Sequence, residues 1–562
     1  MPAPAQLDYV LAIDLGSGGP KVALVAQNGQ VAAHASRAVE TFVLDDGGVE
    51  QDPHQWWAAV SAAARQVLTE RSVPIEQIKG VACTSQWSVT VPVDRQGQPL
   101  MRAVHWMDSR GAPYSRAITD GWLKFSGYGI RRLATWLRYT GGVPTHSGAD
   151  VLAHLLFIKH QRPDVYRAAD KFIEPMDYIN ARLTGRVAAS HGTIFPYLLT
   201  DNRDNQRIDY APRLLAFAGI DRAKLPDLLP VDAVLGPILP EVADAWGLSR
   251  STQVVVGTSD SQAAVLGSGA VADYAPHLCI GTSSWLTCHV PFKRTDLVRN
   301  LATMPSAARG RNMLVAELGP AGKCLELLVN GWFFPAAAHR ALGHQSDTAT
   351  TTDPGADPAA AGQPIPAAAS AGAADPYRQL EALAASVPAG SEGLLFLPWL
   401  NGSGPPTANP HARGGFFNQS LRTTRAHACR AALEGVAGNV RWLLGAVEHM
   451  LGRRVERLPF IGGGARIELW CQILADMLDR PILQADEPNL AIVRGAAMTA
   501  HRTLGRHELD DLAAHIRIAR TFEPQAAHRA AYDELFHRLV TCYKSNSRLF
   551  RRWNTAPPRP RA

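Results

Sequence analysis

Residues 11–24 read LAIDLGSGGPKVAL: an apolar run that ends on Asp14, a turn of small residues at 17–20, and a second apolar run. The pattern predicts two strands joined by a glycine turn, with one carboxylate at the mouth of the turn. A charge at the end of a core strand costs free energy unless it is solvated or paired with a cation. Asp14 therefore needs a reason to be there.

Working outward, residues 9–14, 21–26 and 31–36 read as short strands. The last two are joined by Gln27-Asn28-Gly29-Gln30, where Asn-Gly favours a primed hairpin turn. Residues 53–69 carry Trp56, Val60, Ala64 and Val67 at helical spacing. Residues 78–84 and 88–93 read as strands, the second ending on the turn Asp94-Arg95-Gln96-Gly97. A meander followed by mixed helices and strands predicts an α/β domain.

The opening theme then returns. A short strand at 254–256 precedes GTSDSQAAVLGSGAV, in which 261–266 begins a helix. HLCI at 277–280, the turn Gly281-Thr282-Ser283-Ser284 and WLTCHV at 285–290 repeat strand, small-residue turn, strand. Two such units, each opening one half of a 562-residue chain, predict two domains of related design facing one another. Residues 426–450 have helical periodicity, 458–461 form a strand running into Gly462-Gly463-Gly464, and 469–478 and 489–504 read as helices. The expected divisions are 1–268, 269–515 and 516–562, the last a helical extension with a basic tail.

Low-complexity residues fill 344–376. The stretch 347–375, rich in Ala, Pro, Gly and Thr, cannot offset its ordering entropy and reads as a loop or disordered insertion. A hydrophobic content of 46% supplies core for both domains. The net charge of +6 is small, and its excess sits in RLFRRWNTAPPRPRA at 548–562. That segment reads as a frayed, solvated end, because it lacks the spread of basic and stacking residues of a nucleic-acid face. Seven cysteines without a CxxC pair read as reduced thiols and predict a cytoplasmic protein. The opening MPAPAQLDYV lacks a basic segment followed by a long apolar one, and no run approaches the roughly 20 apolar residues of a membrane span, so no membrane partner is expected.

Turns of small residues after strands expose successive N–H groups that can cradle phosphate oxygens. SGGP at 17–20, GTSS at 281–284 and GGGA at 462–465 are three such turns, and Asp14 and Asp260 each end an apolar strand beside small residues, SGGP for the first and GTS at 257–259 for the second. Alone, each turn is a plain connection and each acid a turn cap. Together they fit phosphoryl transfer, which uses N–H cradles, Mg²⁺ to neutralise charge, and an acid to orient and deprotonate the attacking hydroxyl.

In order and spacing these residues resemble the FGGY family of carbohydrate kinases, nearest its xylulokinase-like branch, from about residue 9 to about residue 504. IDLGSGGPK resembles the first phosphate loop, VEQDPHQWW at 49–57 the family's V-E-Q-D-P-x-x-W-W, and KFIEPMDYINARLTG at 171–185 its K-x-x-x-P-x-D-Y-x-x-x-x-L-T-G. GTSDSQAAVLGSG resembles the catalytic segment and CIGTSSWL the second phosphate loop. GLLFLPWLNG with ARGGFF resembles a further family segment, and GGGARIELWCQILADMLDRPI the adenosine segment. The resemblance implies two actin-like, ribonuclease-H-like α/β ATPase domains with an interdomain cleft. It implies ATP- and Mg²⁺-dependent phosphorylation of a ketose or polyol, and it is compatible with a homodimer.

It further implies that Asp260 takes the substrate hydroxyl's proton and that Asp14 and Asp260 hold Mg²⁺. Gly16, Ser17, Gly18 and Lys21 would line the first phosphate loop, and Gly281 and Thr282 would lie near the transferring phosphate. Gly322 and Glu326 would contact the nucleotide, and Gly463, Gly464 and Glu468 the adenosine. Gln86, Trp87, Trp106, Asp108 and Asp260 would meet the substrate, although Trp87 and Trp106 also read as core aromatics. Asp14 and Asp260 are expected to converge across the interdomain crevice. Glycine stands at 18 where the family has a hydroxyl, SQW replaces G-Q-M-H, NGSGPP lacks N-G-E-R, and His154 replaces a common lysine. These departures bear on D-xylulose as the substrate more than on kinase activity. They also motivate a rival, a nucleotide- or sugar-binding sensor of the same fold without turnover. A dinucleotide-binding reading fails, because LGSGGP is followed by a strand where a helix is required.

Overall fold

The computed structural model describes residues 7–71, 73–281, 284–319, 321–334, 363–364, 375–505 and 507–554. Its first sheet starts with β1 (Tyr9–Gly16) and β2 (Gly19–Ala26), antiparallel along their whole length with Gly16 opposite Gly19, and β3 (Val31–Ser36) completes the meander. Gly29 takes a positive φ of +77° but Asn28 does not, and the β2–β3 register shifts at Leu24/Val25. The primed turn is thus replaced by a bulged one, since a primed type I turn needs both central residues at positive φ.

The helix α1 (Pro53–Thr69) has the bounds its sequence predicts: Asp52 caps the His54 N–H, Pro53 opens the first turn, and Trp56, Val60, Ala64 and Val67 are buried. Next, β4 (Ile78–Ser85) runs parallel to β1. Of the strand expected at 88–93, only Val91–Val93 forms. Further on come α2 (Pro175–Thr184), stopped by left-handed Gly185, and β5 (Gln253–Val255), parallel to β4 on its far side. A glycine turn at Gly257 then leads through Thr258–Ser259 into α3 (Asp260–Gly267). Gly257 has φ +71°, and a Cβ there would lie 2.1 Å from the Cys83 carbonyl oxygen, so no side chain fits.

The second half repeats the path. There β6 (His277–Ile280) pairs antiparallel with β7 (Ser284–Val290), which pairs with β8 (Asn312–Gly319). After α4 (Arg425–Leu451), β9 (Leu458–Ile461) returns parallel to β6; α5 (Glu468–Leu478) and β10 (Ile482–Ala485) follow, β10 parallel to β9. The chain continues through α6 (Ala491–Gly505) to α7 (Arg529–Asn554). In both sheets a first strand carries its antiparallel hairpin partner on one side and parallel strands on the other, which is the duplication foreseen from the two turns.

Two helices lie between the sheets. α6 covers Val10, Ala12, Ala23 and Val25 of the first sheet with Val493, Ala496, Ala497 and Ala500, while Ala264 of α3 packs with Cys279, Trp285 and Ile461 of the second. Where they meet, a Cβ on Gly267 would lie 1.7 Å from the Ala491 oxygen, and one on Gly495 would lie 1.8 Å from the Ala263 oxygen.

Most of 347–375 lies outside the described residues; within it, Gln363–Pro364 pairs with Phe42–Val43. The basic end differs from its expected frayed state. Residues 548–554 belong to α7 and Phe550 is buried, because α7 lays Tyr532, Leu535, Leu539, Tyr543 and Phe550 along one face against the core; 555–562 lie outside the described residues. No described helix is long and apolar enough to cross a membrane.

Candidate active site

Asp14 and Asp260 come together along one edge of the first sheet, not across the crevice as expected. Asp14 stands opposite Thr84 in the β1–β4 ladder and Ser259 opposite Ser85, so β4 alone separates the acids, roughly two strand spacings or about 10 Å. The reason lies in the topology: β5 returns parallel beside β4, and the ends of adjacent parallel strands form one rim, the usual ligand edge of such sheets. Asp14 is 2% exposed and lies across the hairpin from Lys21, whose Nζ is 3.5 Å from its Oδ2.

Asp260 is the first residue of α3 and accepts the Ser261 N–H at 2.6 Å. Its carboxyl keeps some access to solvent yet sits deep among protein atoms. Burial pushes it up to about 8, with the charges of Asp14 and Glu317 adding and the Ser261 N–H opposing. Glu317 belongs to β8 of the second half, so acids from both halves feel one another. Cys279 in β6 reports the same proximity: burial raises its thiol, and Asp260, Lys21 and Asp14 all act on it.

The first glycine turn is held from behind. Ser17 donates to Gln86 Oε1 at 2.8 Å and accepts from Trp106 Nε1 at 3.0 Å. Gln86 in turn donates to Gln51 Oε1 at 2.6 Å, and Gln51 Nε2 donates to the Ser17 carbonyl at 2.8 Å and to Thr41 at 2.7 Å. Gly19 has φ +127° and passes so close to the Arg37 carbonyl that a Cβ would lie 2.1 Å from its oxygen, whereas a Cβ at exposed Gly18 would meet nothing. In the second half, Gly281 leads into Thr282, which lies outside the described residues. Gly462 has φ +89° against the Ile280 carbonyl, Gly463 is exposed, and Gly464 packs on Ile280 and Trp470.

A strand-end acid pair, a strutted glycine turn and a facing second sheet are what the family-level reading requires. The N-terminal-domain model of the FGGY carbohydrate kinases matches residues 9–267, and the C-terminal-domain model matches residues 324–504. This chain belongs to the FGGY family of carbohydrate kinases. It is 27% identical to a xylulose kinase of Escherichia coli over 550 residues, 94% of this chain and 98% of that protein. A gluconokinase of Bacillus subtilis is 25% identical over 84% of both chains. The crystal structure of a ligand-bound xylulose kinase from Lactobacillus acidophilus superposes with a TM-score of 0.77 at 20% identity, covering 97% of this chain and all of that one. The fold is that of actin-like sugar kinases.

Within this FGGY chain several of the expected contact residues are held by other side chains. Gln86 is buried with both ends of its amide engaged, so it braces the Ser17 turn. Asp108 is fully buried, accepts the Val49 and Arg110 N–H groups at 2.9 Å, and pairs at 2.7 Å with Arg110, which also binds Glu50. Both carboxylate oxygens of Asp108 are thus engaged by Val49 and Arg110. Trp106 and Trp87 are both half-buried: Trp106 is tied to Ser17, and Trp87 lies tilted on Phe195 with its Nε1 3.4 Å from the Thr193 carbonyl. Glu326 pairs with Lys323 at 2.8 Å on the helix Ala321–Leu327 that also holds Gly322, and Glu468 pairs with Arg520 at 2.7 Å in the first turn of α5.

Sequence reasoning missed Gln51, Glu317, Glu174 and Asp177. The first, third and fourth sit inside VEQDPHQWW and KFIEPMDYINARLTG, segments singled out without assigning these side chains a task. Glu174 is buried; its Oε2 accepts the Val89 N–H at 3.0 Å, and its Oε1 has no partner among the described residues. Burial raises its carboxyl, and the charges of nearby Asp177 and Asp260 add to that. It thereby clamps the turn at Ser88, a non-glycine residue at φ +60°, directly after Trp87. Glu174→Ala would leave a buried N–H unpaired, costing about 1–3 kcal/mol, and should raise the sugar KM about tenfold, whereas Glu174→Gln keeps an acceptor and should stay near the parent. Steady-state kinetics beside melting curves check this. Equal KM for the two variants would rule out the clamp.

Proposed function

We propose that this chain transfers the γ-phosphoryl group of ATP to a hydroxyl of a neutral ketose or polyol. The observation that carries the proposal is the placement of Asp14 and Asp260 on either side of β4, at one rim of the first sheet and beside the Ser17 turn. The hydroxyl would lie against Asp260, whose carboxylate accepts its proton as the oxygen attacks. Backbone N–H groups of the Ser17–Gly18 turn and the glycine turn at 462–464 would take phosphate oxygens, and closure of the halves would exclude water.

Mg²⁺ fits the donor set. Asp14 and Asp260 supply hard carboxylate oxygens at one rim of the first sheet. Among the described residues no three His, Cys, Asp or Glu side chains form a complete cage, which suits an ion held by one or two carboxylates and the nucleotide's own phosphates. Bound there, the ion would neutralise charge on the phosphates. Seven free cysteines, six of them buried, support a reducing, cytoplasmic setting.

Neutral substrates are favoured over sugar acids because the rim already gathers Asp14, Asp260 and Glu317, with Lys21 paired to Asp14. The test is ADP release with Mg-ATP and a panel of D-xylulose, D-ribulose, glycerol and gluconate. A ketose or polyol should stimulate release well above the sugar-free rate and above gluconate. Failure of every sugar would favour the sensor, against which the presence of both acids argues.

A further inference from the structure

Away from the cleft, α4, the end of α5 and α7 enclose a solvent-open cavity of about 560 Å³ that shares no residue with the acids or glycine turns of the active site. Five arginines line it, Arg299, Arg441, Arg454, Arg480 and Arg529, with the carboxylates Glu448 and Asp479 in the same wall and Asp296 and Asp533 paired to arginines from behind it. Arg480 is structural: it pairs with Glu448 and donates to the Val455 and Leu478 carbonyls at 2.7 and 2.9 Å.

The others commit only part of each guanidinium. Arg299 Nη1 meets Asp296 at 2.9 Å, Arg454 Nη2 holds the Asp479 carbonyl at 3.0 Å and lies 3.5 Å from the same residue's carboxylate, and Arg441 Nη2 meets Asp533 at 2.7 Å. Arg529 meets Asp533 through Nε and Asp479 through Nη1, each at 2.8 Å. Among the described residues, Nε and Nη2 of Arg299 and Nε and Nη1 of Arg454 donate to nothing. Planar cations anchored on one edge and free on another, at a concave wall, are the donors that suit a phosphate.

A glycine supplies the second observation. Glycine in a helix interior is destabilising, and α4 holds three past its second turn that invite explanation. At Gly435 a Cβ would lie 2.2 Å from the Phe396 oxygen, and at Gly438 it would lie 3.0 Å from Leu539, so packing accounts for both. Gly445 is exposed, lines the cavity, and has no atom within 4 Å of where its Cβ would be. Packing does not explain it, but clearance for something that enters the cavity does. Trp442 and Phe536 add an aromatic wall beside it.

We infer that this cavity is a second, non-catalytic site for a small phosphate-bearing anion, its phosphate between the Arg299 and Arg454 guanidiniums and its remainder over Gly445 against Trp442. Titration calorimetry with pyrophosphate and with inorganic phosphate, at ionic strength matched by sodium chloride, tests it. Saturable binding is expected, weakened about tenfold or more by Arg299→Gln with Arg454→Gln, and likewise by Gly445→Met, which fills the clearance without changing charge. Gly445→Ala should melt at or above the parent temperature, showing that α4 tolerates a side chain there. No saturable heat up to about 10 mM would overturn the site. So would equal pyrophosphate binding by the parent and Gly445→Met, since the anion would then sit at the glycine turns of the cleft.

Discussion

Asp260→Asn is expected to lower sugar-dependent ADP release by about 10²- to 10⁴-fold, the range that a positioned general base contributes. The substitution keeps size and a hydrogen-bond acceptor for the Ser261 N–H, so α3 should start where it does now. What it removes is acceptance of a proton, together with one of the two carboxylates proposed for Mg²⁺. The loss should fall on kcat, with the ATP KM within a few-fold, because the glycine turns proposed for the nucleotide at 281 and 462–464 lie in the other half of the chain. Asp14→Asn should also be slow for a separable reason: it leaves Lys21 without its partner and removes one of the two carboxylates proposed for Mg²⁺. Raising Mg²⁺ should restore much of the Asp14→Asn rate, whereas Asp260→Asn, which also lacks the proton acceptor, should stay slow at saturating Mg²⁺. Turnover of Asp260→Asn within a few-fold of the parent would remove Asp260 from the chemistry.

How much of this was legible in the sequence follows from the range of the interactions involved. Strands, turns and helix ends are set by neighbours in the chain, so the bounds of α1 follow from Asp52, Pro53 and a single apolar face, and the repeated strand–turn–strand theme exposes the duplication. Candidate acids at strand ends stand out because charge there conflicts with the core around it. Which side of the cleft an acid occupies depends on strand order. Asp14 and Asp260 share a rim only because β5 returns next to β4, more than 150 residues later, and no local pattern states that. Gln86 and Asp108 show the same limit from the other direction: a polar residue near a site can face the ligand or brace its neighbours, and only the partners Ser17, Gln51 and Arg110 decide. Glu317 was invisible for the complementary reason, since it reaches Asp260 from the opposite domain.

Gly495→Ala is expected to destabilise the protein and slow it, although alanine is the better helix former by about 1 kcal/mol. The new methyl would lie 1.8 Å from the Ala263 carbonyl oxygen, and the facing Gly267 has the reciprocal constraint against Ala491, 1.7 Å away. Both obstacles are backbone, so no rotamer change relieves the clash and the helices must separate. Overpacking of this kind costs about 1–3 kcal/mol, enough to outweigh the gain in propensity. The separation cannot stay local. α3 starts with Asp260 and α6 covers the sheet that carries Asp14, so moving one helix against the other shifts the proposed base relative to the Ser17 turn. A displacement near 1 Å at a reacting group can cost about 100-fold in rate. The melting temperature should therefore fall and kcat drop together. The same substitution at Gly445, in open space on α4, should move the melting temperature the other way. If Gly495→Ala raised the melting temperature and left kcat unchanged, the close crossing of α3 and α6 would not be what holds the two acids in register.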